Sequence, residues 1–312
     1  MQRLTYAILT TGLFAAGPVA ADTYDYEVDL SYSSFDSDSI SFPFIGGFPD
    51  PTQGSSETSS SDDEISITGR WFYSGLSDEE GPRSRAAFVS RASSVSATYA
   101  RLDGDASFVS NVFGNPIVAS GEQTADTFGV DLRHVWQESG WYVLAGIAES
   151  SADVSFTDPG GNTSEASGEA DAYFAGFGKY LGATTSLDLV VANAEAGGSD
   201  STNVALDLTH IGQLNESWQY GVDVGVGFAP DDRLYDLRFS LYPNRDVAFG
   251  FGYRTTDDDD DFGGESSSMS AFASWFLNET TVIRADLSSG DGEAPGTEID
   301  TDGFGIGITM RF

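Results

Sequence analysis

The chain ends on Gly303-Phe-Gly-Ile-Gly-Ile-Thr-Met-Arg-Phe312, and few endings constrain a fold so tightly. Phe304, Ile306, Ile308, Met310 and Phe312 take every second position, while Gly303, Gly305, Gly307, Thr309 and Arg311 fill the gaps. A period of two is that of a β-strand, whose side chains point alternately to opposite faces. One face here is continuously apolar and the other is small or charged. A strand in a soluble sandwich alternates in the same way, but it seldom stops on a terminal aromatic with nothing beyond it to cover the edge. A strand with one face to lipid and the other to water has this form.

The same alternation runs through the chain. Tyr24, Tyr26, Val28, Leu30 and Tyr32 share a phase at the start, and after a Ser- and Asp-rich loop over residues 36–63 the return strand carries Ile65, Ile67, Trp71 and Tyr73. The clearest block lies between Trp218 and Tyr253, where Val222, Val224, Val226, Leu237, Phe239, Phe249 and Phe251 alternate across the turns Pro230–Arg233 and Pro243–Asp246. Hairpin-connected strands in register predict an antiparallel sheet. The pattern gives an all-β, transmembrane, antiparallel up-and-down β-barrel of about fourteen strands, within roughly twelve to sixteen. Long acidic connections alternate with brief turns. This asymmetry predicts short periplasmic turns and long extracellular loops. Tyr73, Trp136, Trp141, Tyr180, Trp218, Trp275 and Phe312 gather on the turn side and are expected to form an aromatic girdle.

Met1-Gln-Arg3, the apolar run to Ala16 and the small residues Val19 and Ala21 read as a secretory signal peptide over residues 1–21, leaving a barrel domain over 22–312. No later run is long enough for a spanning helix, so a membrane role requires a closed barrel. There is no cysteine, hence neither disulfide nor thiolate site. The formal charge is −35, from 49 acidic and 14 basic residues, which makes nucleic acid an improbable partner. Such acidity suits solvated loops, a saline habitat, divalent cations or cation selectivity.

The terminal strand resembles the C-terminal strand of bacterial outer-membrane β-barrels, which implies that the insertion machinery reads Phe312. A second segment, with Gly81-Pro82, Ala86-Ala-Phe88 and Arg91-Ala-Ser-Ser-Val95, resembles the putative general bacterial porins, although Arg85 stands where that family carries an acidic residue. The segment Gly75–Ser94 is expected to be an elaborated periplasmic turn with one helical turn. The resemblance implies a Gram-negative outer-membrane location and lipid and lipopolysaccharide as surroundings. It also implies small hydrophilic solutes as cargo and a homotrimer, to which the small lipid-phase residues Ala97, Ala145, Ala175, Ala271, Ala273 and Ala285 would lend close contact.

If the apolar phase faces lipid, the opposite phase faces the lumen. The pore-lining candidates are Asp25, Glu27, Asp29, Arg70, Asp131, Arg133, Asp188, Asp207, Asp223, Asp236, Arg238, Arg254, Arg284, Asp286 and Arg311. Such charges either set the selectivity of a water-filled channel or brace the lumen as salt bridges. Arg311, Arg284 and Arg70 are expected beside the Asp25–Asp29 strand once the barrel closes.

Little else in the sequence suggests chemistry. The two histidines, His134 and His210, fall in the lipid phase near the turn side, without a serine or acid placed beside them on their own strand. No catalytic residue, metal ligand set or cofactor is expected. The five aspartates 257–261 lack the Gly and Glu spacing of an EF-hand loop. The expected function is passive diffusion of small hydrophilic solutes and ions, with a preference for cations. The alternative is a closed structural or adhesive barrel whose outer loops bind a partner.

Overall fold

The computed structural model describes residues 24–41, 44–45, 48–49, 55–77, 81–112, 115–230, 232–258, 264–294 and 297–312. The expected signal peptide and residues 259–261 of the aspartate run lie outside them. In chain order the elements are β1 (Tyr24–Ser41), β2 (Phe44–Ile45), β3 (Phe48–Pro49), β4 (Ser56–Leu76), a 3-10 turn (Arg83–Arg85) and helix α1 (Ala86–Val89). There follow β5 (Ser94–Val112), β6 (Asn115–Trp136), β7 (Trp141–Thr157), β8 (Thr163–Tyr180), β9 (Thr185–Ala196) and β10 (Ser199–Gln213). The last are β11 (Gln219–Phe228), β12 (Asp232–Tyr242), β13 (Val247–Asp258), β14 (Glu265–Phe276), β15 (Thr281–Ala294) and β16 (Thr297–Arg311). Apart from the β2–β3 ladder, the strands form one closed antiparallel barrel of fourteen, each beside its sequence neighbour and β16 back against β1.

Closure leaves no free sheet edge, which satisfies the backbone in a medium without water. Around the outside, Val28, Ile67, Ile147, Phe177, Phe251 and Ile306 stand exposed on a continuous apolar belt. On the turn side Tyr73, Trp136, Trp141, Trp218, Trp275 and Phe312 are exposed as a girdle. Tyr180 is a correction to that expectation. It lies in the opposite phase from Tyr173, Ala175 and Phe177, so it faces inward and is only 4% exposed.

Apart from the connection between β4 and β5, the turns on this side are four or five residues long, at 137–140, 181–184, 214–218, 243–246 and 277–280. Three are tied by asparagine. The Asn215 carbonyl accepts from the N–H groups of Ser217 and Trp218, that of Asn244 from Asp246 and Val247, and that of Asn278 from Thr280. These are side-chain mimics of backbone turns and need no longer loop.

At the other end the expected long loops are largely strand. β1 continues to Ser41 and β4 starts at Ser56, with the two in unbroken register from Tyr26 to Ser41. Once neighbouring strands are aligned, serine, threonine and aspartate can extend a ladder, because the hydrogen bonds belong to the backbone. The result is a wall of uneven height. β1 and β4 to β8 have 17 to 22 residues, whereas β9 to β16 have 10 to 15. About 9–11 residues of tilted strand cross a bilayer. The taller side therefore stands clear of the membrane by about ten residues, roughly 30 Å along the strand.

Candidate functional site

The positions opposite the apolar belt point into the barrel. On β1, Glu27 accepts from Arg311 Nε at 2.9 Å and lies 3.4 Å from Arg70 Nη1. Asp29 pairs with Arg284 and accepts from the Thr309 hydroxyl at 2.5 Å. β1 sits between β4 and β16, and this alone brings residues almost 300 positions apart into one cluster. Arg311 is 1% exposed, and its guanidinium also lies 5.2 Å from the Phe276 ring centroid. Elsewhere Asp236 accepts from Arg254 Nε at 2.9 Å, Asp131 accepts from the Ser96 hydroxyl at 2.6 Å, and Arg238 covers the Phe272 ring at 3.7 Å. Asp286 stands over Gly305.

Asp25 is placed differently. A register shift between Tyr24 and Tyr26 lets both Asp25 and Tyr26 donate their N–H groups to the Phe312 carbonyl. This bulge turns Tyr24 inward and leaves Asp25 exposed on the rim. The Phe312 N–H closes the same link by donating to the Tyr26 carbonyl at 2.9 Å.

The main structural feature of the lumen is the connection between β4 and β5. Residues 81–93 fold inward as a strap across the turn-side mouth. Ala86 and Ala92 pack with Tyr24, Phe72 and Leu76 on β1 and β4. Phe88 packs against Val135, Tyr142 and Tyr180 on β6 to β8, and its carbonyl accepts from the Tyr180 hydroxyl at 3.0 Å. On the far side Arg85 pairs with Asp223 and donates to the Tyr242 hydroxyl at 2.9 Å. Arg83 reaches Asp246 at 2.9 Å. Arg91 donates to the carbonyls of Gln137 and Gly182, and lies 4.8 Å over the Tyr180 ring. Its φ of 52° is left-handed, a conformation rare for a non-glycine residue, and these contacts hold it there.

Arg133 also lies in this wall, donating to the Tyr180 hydroxyl at 2.9 Å and lying 4.3 Å over the Tyr142 ring. Tyr142 and Asp188 both crowd against Gly178, where any Cβ would collide with them. Asp188 and Asp207 are direct register partners on β9 and β10, and among the described residues neither makes an ion pair.

The histidines sit among girdle groups. The His134 Nδ1 is 2.9 Å from the Tyr73 hydroxyl, and the ring meets Trp136 edge-on; the His210 Nδ1 is 2.8 Å from the Thr185 hydroxyl. The sequence reading missed Arg83, Arg85, Phe88 and Arg91 as lumen residues. A signal was present: Phe72, Tyr142, Tyr180, Tyr242 and Phe276 occupy the inward phase next to the turns, and such rings need cover.

No family model and no curated protein matches the chain. Solved structures match over nearly its full length. The Acinetobacter baumannii outer membrane protein Omp33 aligns with a TM-score of 0.51 and 15% identity, covering 94% of this chain and 100% of that one. The translocator domain of the autotransporter NalP from Neisseria meningitidis aligns at 0.45 and 11%, covering 100% and 95%. Pseudomonas aeruginosa OpdQ aligns at 0.37 and 10%, covering 92% and 98%. The likeness to Omp33 is one of fold, and it agrees with the apolar belt, the girdle and the closed sheet. The chain shares the fold of that outer membrane protein, a closed antiparallel β-barrel, here of fourteen strands.

Proposed function

We propose that the barrel is a channel for passive diffusion of small hydrophilic solutes and ions, with a preference for cations, narrowed at its periplasmic mouth by the strap. The observation that carries this reading is the inward phase itself. Fourteen strands enclose more space than their own side chains fill, and this phase carries charges of both signs, Glu27, Asp29, Asp236, Arg70, Arg254 and Arg284 among them. Asp188 and Asp207 are carboxylates without an ion pair among the described residues, so the lumen field favours cations. Signal-peptide cleavage after Ala21, recognition of Phe312 by the insertion machinery, lipopolysaccharide contact and a homotrimer complete the proposal. Ala145 beside Ala175, and Ala273 beside Ala285, offer small outward faces for a subunit contact.

The strap favours a second reading, a closed barrel that acts through its extracellular wall. Single-channel recording of the refolded protein under a salt gradient separates the two. Stepwise currents with a cation-selective reversal potential support the channel, whereas an inserted and silent barrel supports the closed form.

A further inference from the structure

The wall of the barrel drops between β8 and β9. β9 ends at Ala196, opposite Ala170, while β8 begins seven residues higher, at Thr163, and over that stretch pairs only with β7. The direction of its backbone groups is fixed at the lower end. There the Tyr180 N–H, in the inward phase, donates to the Gly140 carbonyl on the β7 side, and the Leu181 N–H, in the outward phase, donates to the Thr185 carbonyl on the β9 side. Backbone groups alternate along a strand as side chains do, and neither ladder of β8 has a register shift. Glu165, Ser167 and Glu169, all in the outward phase, therefore turn their N–H and C=O groups toward the β9 side, where no described strand meets them. Residues 163–169 are exposed on both faces.

An open strand edge is a template for a further strand. The other steps among the described strands are blunted or short. On β6 the step above Ser120 includes Pro116, which has no N–H, and on β10 the step above Val204 offers only Asp200 and Thr202.

The two faces of the β8 edge specify what fits it. On the outward face Glu165 and Glu169 stand near Asp153 and Asp171, and β7 to β9 carry a single basic residue, Lys179, at the far end of β8. On the inward face the edge residues are small: Ser164, Ala166 and Gly168, where an added Cβ would meet nothing. Behind them on β7, Val154 and Phe156 are 43% and 44% exposed. A second copy of this chain is a poor occupant. Antiparallel pairing about Ser167 would set each Glu165 against a Glu169, and like charges directly opposite are destabilising.

We propose that this edge accepts an extended segment of another polypeptide in which lysine or arginine alternates with apolar residues. The basic side chains lie beside Glu165 and Glu169, while the apolar ones reach across Ala166 and Gly168 to Val154 and Phe156. Backbone hydrogen bonds hold the segment, and the two phases set its register. The proposal is independent of whether the barrel is open or closed.

The test uses the refolded full-length barrel in detergent and a fluorophore-labelled heptapeptide, Lys-Val-Lys-Val-Lys-Val-Lys. Lys-Lys-Val-Val-Val-Lys-Lys is the control, with the same composition and charge but no alternation. Anisotropy titration should show the alternating peptide binding on the order of tenfold more tightly, the sum of a few cross-strand pairs. Hydrogen exchange should slow at the amides of Glu165, Ser167 and Glu169 and stay unchanged at Ala166 and Gly168, whose N–H groups already face β7. This pattern is read on the wild type and depends on no variant. Ser167→Pro removes an N–H that bonds nothing in the barrel, so the variant should keep its heat-modifiable migration and lose the binding. Glu165→Gln, Glu169→Gln should weaken binding roughly tenfold. Equal affinity for the two peptides, no binding of either, or binding without slowed exchange at those three amides overturns the proposal. A folded Ser167→Pro that binds like the wild type overturns it as well.

Discussion

Arg85 is the strap's main tie to the far wall, and its removal should open the periplasmic mouth. The side chain joins two groups, the Asp223 carboxylate on β11 and the Tyr242 hydroxyl on β12, and both ends of the ion pair are largely buried. Arg85→Ala leaves Asp223 without its charge partner, a change that costs about 3–5 kcal/mol where the site is dry and less where lumen water reaches the carboxylate. Even about 2 kcal/mol alters the balance between docked and undocked strap roughly thirty-fold. The ion pair of Arg83 with Asp246 has a half-exposed carboxylate and contributes about 1 kcal/mol or less, beside two hydrogen bonds on that side, from the Arg83 N–H to the Arg245 carbonyl and from Arg245 Nε to the Gly81 carbonyl. Single-channel recording of Arg85→Ala should then show larger or longer openings than wild type. Arg83→Ala should change them little, and Tyr242→Phe should fall between. The charge-balanced variant Arg85→Ala, Asp223→Asn should recover stability without restoring the tie. Heat-modifiable migration on a gel confirms that each variant is a folded barrel. Currents from folded Arg85→Ala identical to wild type in amplitude and dwell time would refute the view that the strap restricts the path.

Three further outcomes follow from the geometry. Arg311→Ala should lower barrel stability by about 3 kcal/mol or less, read as a reduced urea midpoint, because it leaves the buried Glu27 at the β1–β16 closure with only its 3.4 Å contact to Arg70; Arg311→Lys should recover only part. Phe312→Ser should reduce the heat-modifiable barrel recovered from outer membranes while refolding in detergent proceeds, since the expected role of this ring is recognition rather than packing; equal recovery in cells would remove that role. The turn after β7 should respond to acid. The Asn162 side chain and backbone N–H, together with the Gly160 N–H, hold the Asp158 carboxyl below its usual range. A folded value below the unfolded one, about 3.9, means the stabilisation is complete above that pH and is lost as the pH falls below it. The protection of the Asn162 amide, its exchange rate relative to the intrinsic rate at each pH, should be lost only in that acid window, and Asp158→Ala should make this protection low and pH-independent.

The barrel was legible in the sequence because a period of two is written residue by residue. Val222 to Phe251 alternates without a break, and the hairpins between those strands need only local turn chemistry. The pairing of Glu27 with Arg311 was also within reach, since closure is a topological necessity once the strands are even in number. The bulge at Tyr24 was not, because a one-residue slip is fixed by the Phe312 carbonyl, almost the whole chain away. Nor was the extended wall, for Ser56 to Asp63 has the composition of a loop and becomes strand only because β1 and β5 offer their backbones on either side. The strap's destination was hidden for a similar reason. Arg83, Arg85 and Phe88 show no periodicity that names their partners, and only the misplaced rings at Tyr142, Tyr180 and Tyr242 hint that something fills the mouth.

The uneven height of the wall separates two electrostatic environments. Glu149, Asp153, Glu165 and Glu169 face outward on the tall side, some of them tens of ångströms along the strand from the lumen entrance, while the Debye length at physiological salt is about 8 Å. An ion arriving over the low β9–β15 rim is screened from them, whereas a neighbouring cell or particle meets them first. Neutralising these four should change the electrophoretic mobility of vesicles that carry the protein and leave the reversal potential of the channel where it was. The collar would present one charge to the surroundings, and the entrance another to the solute.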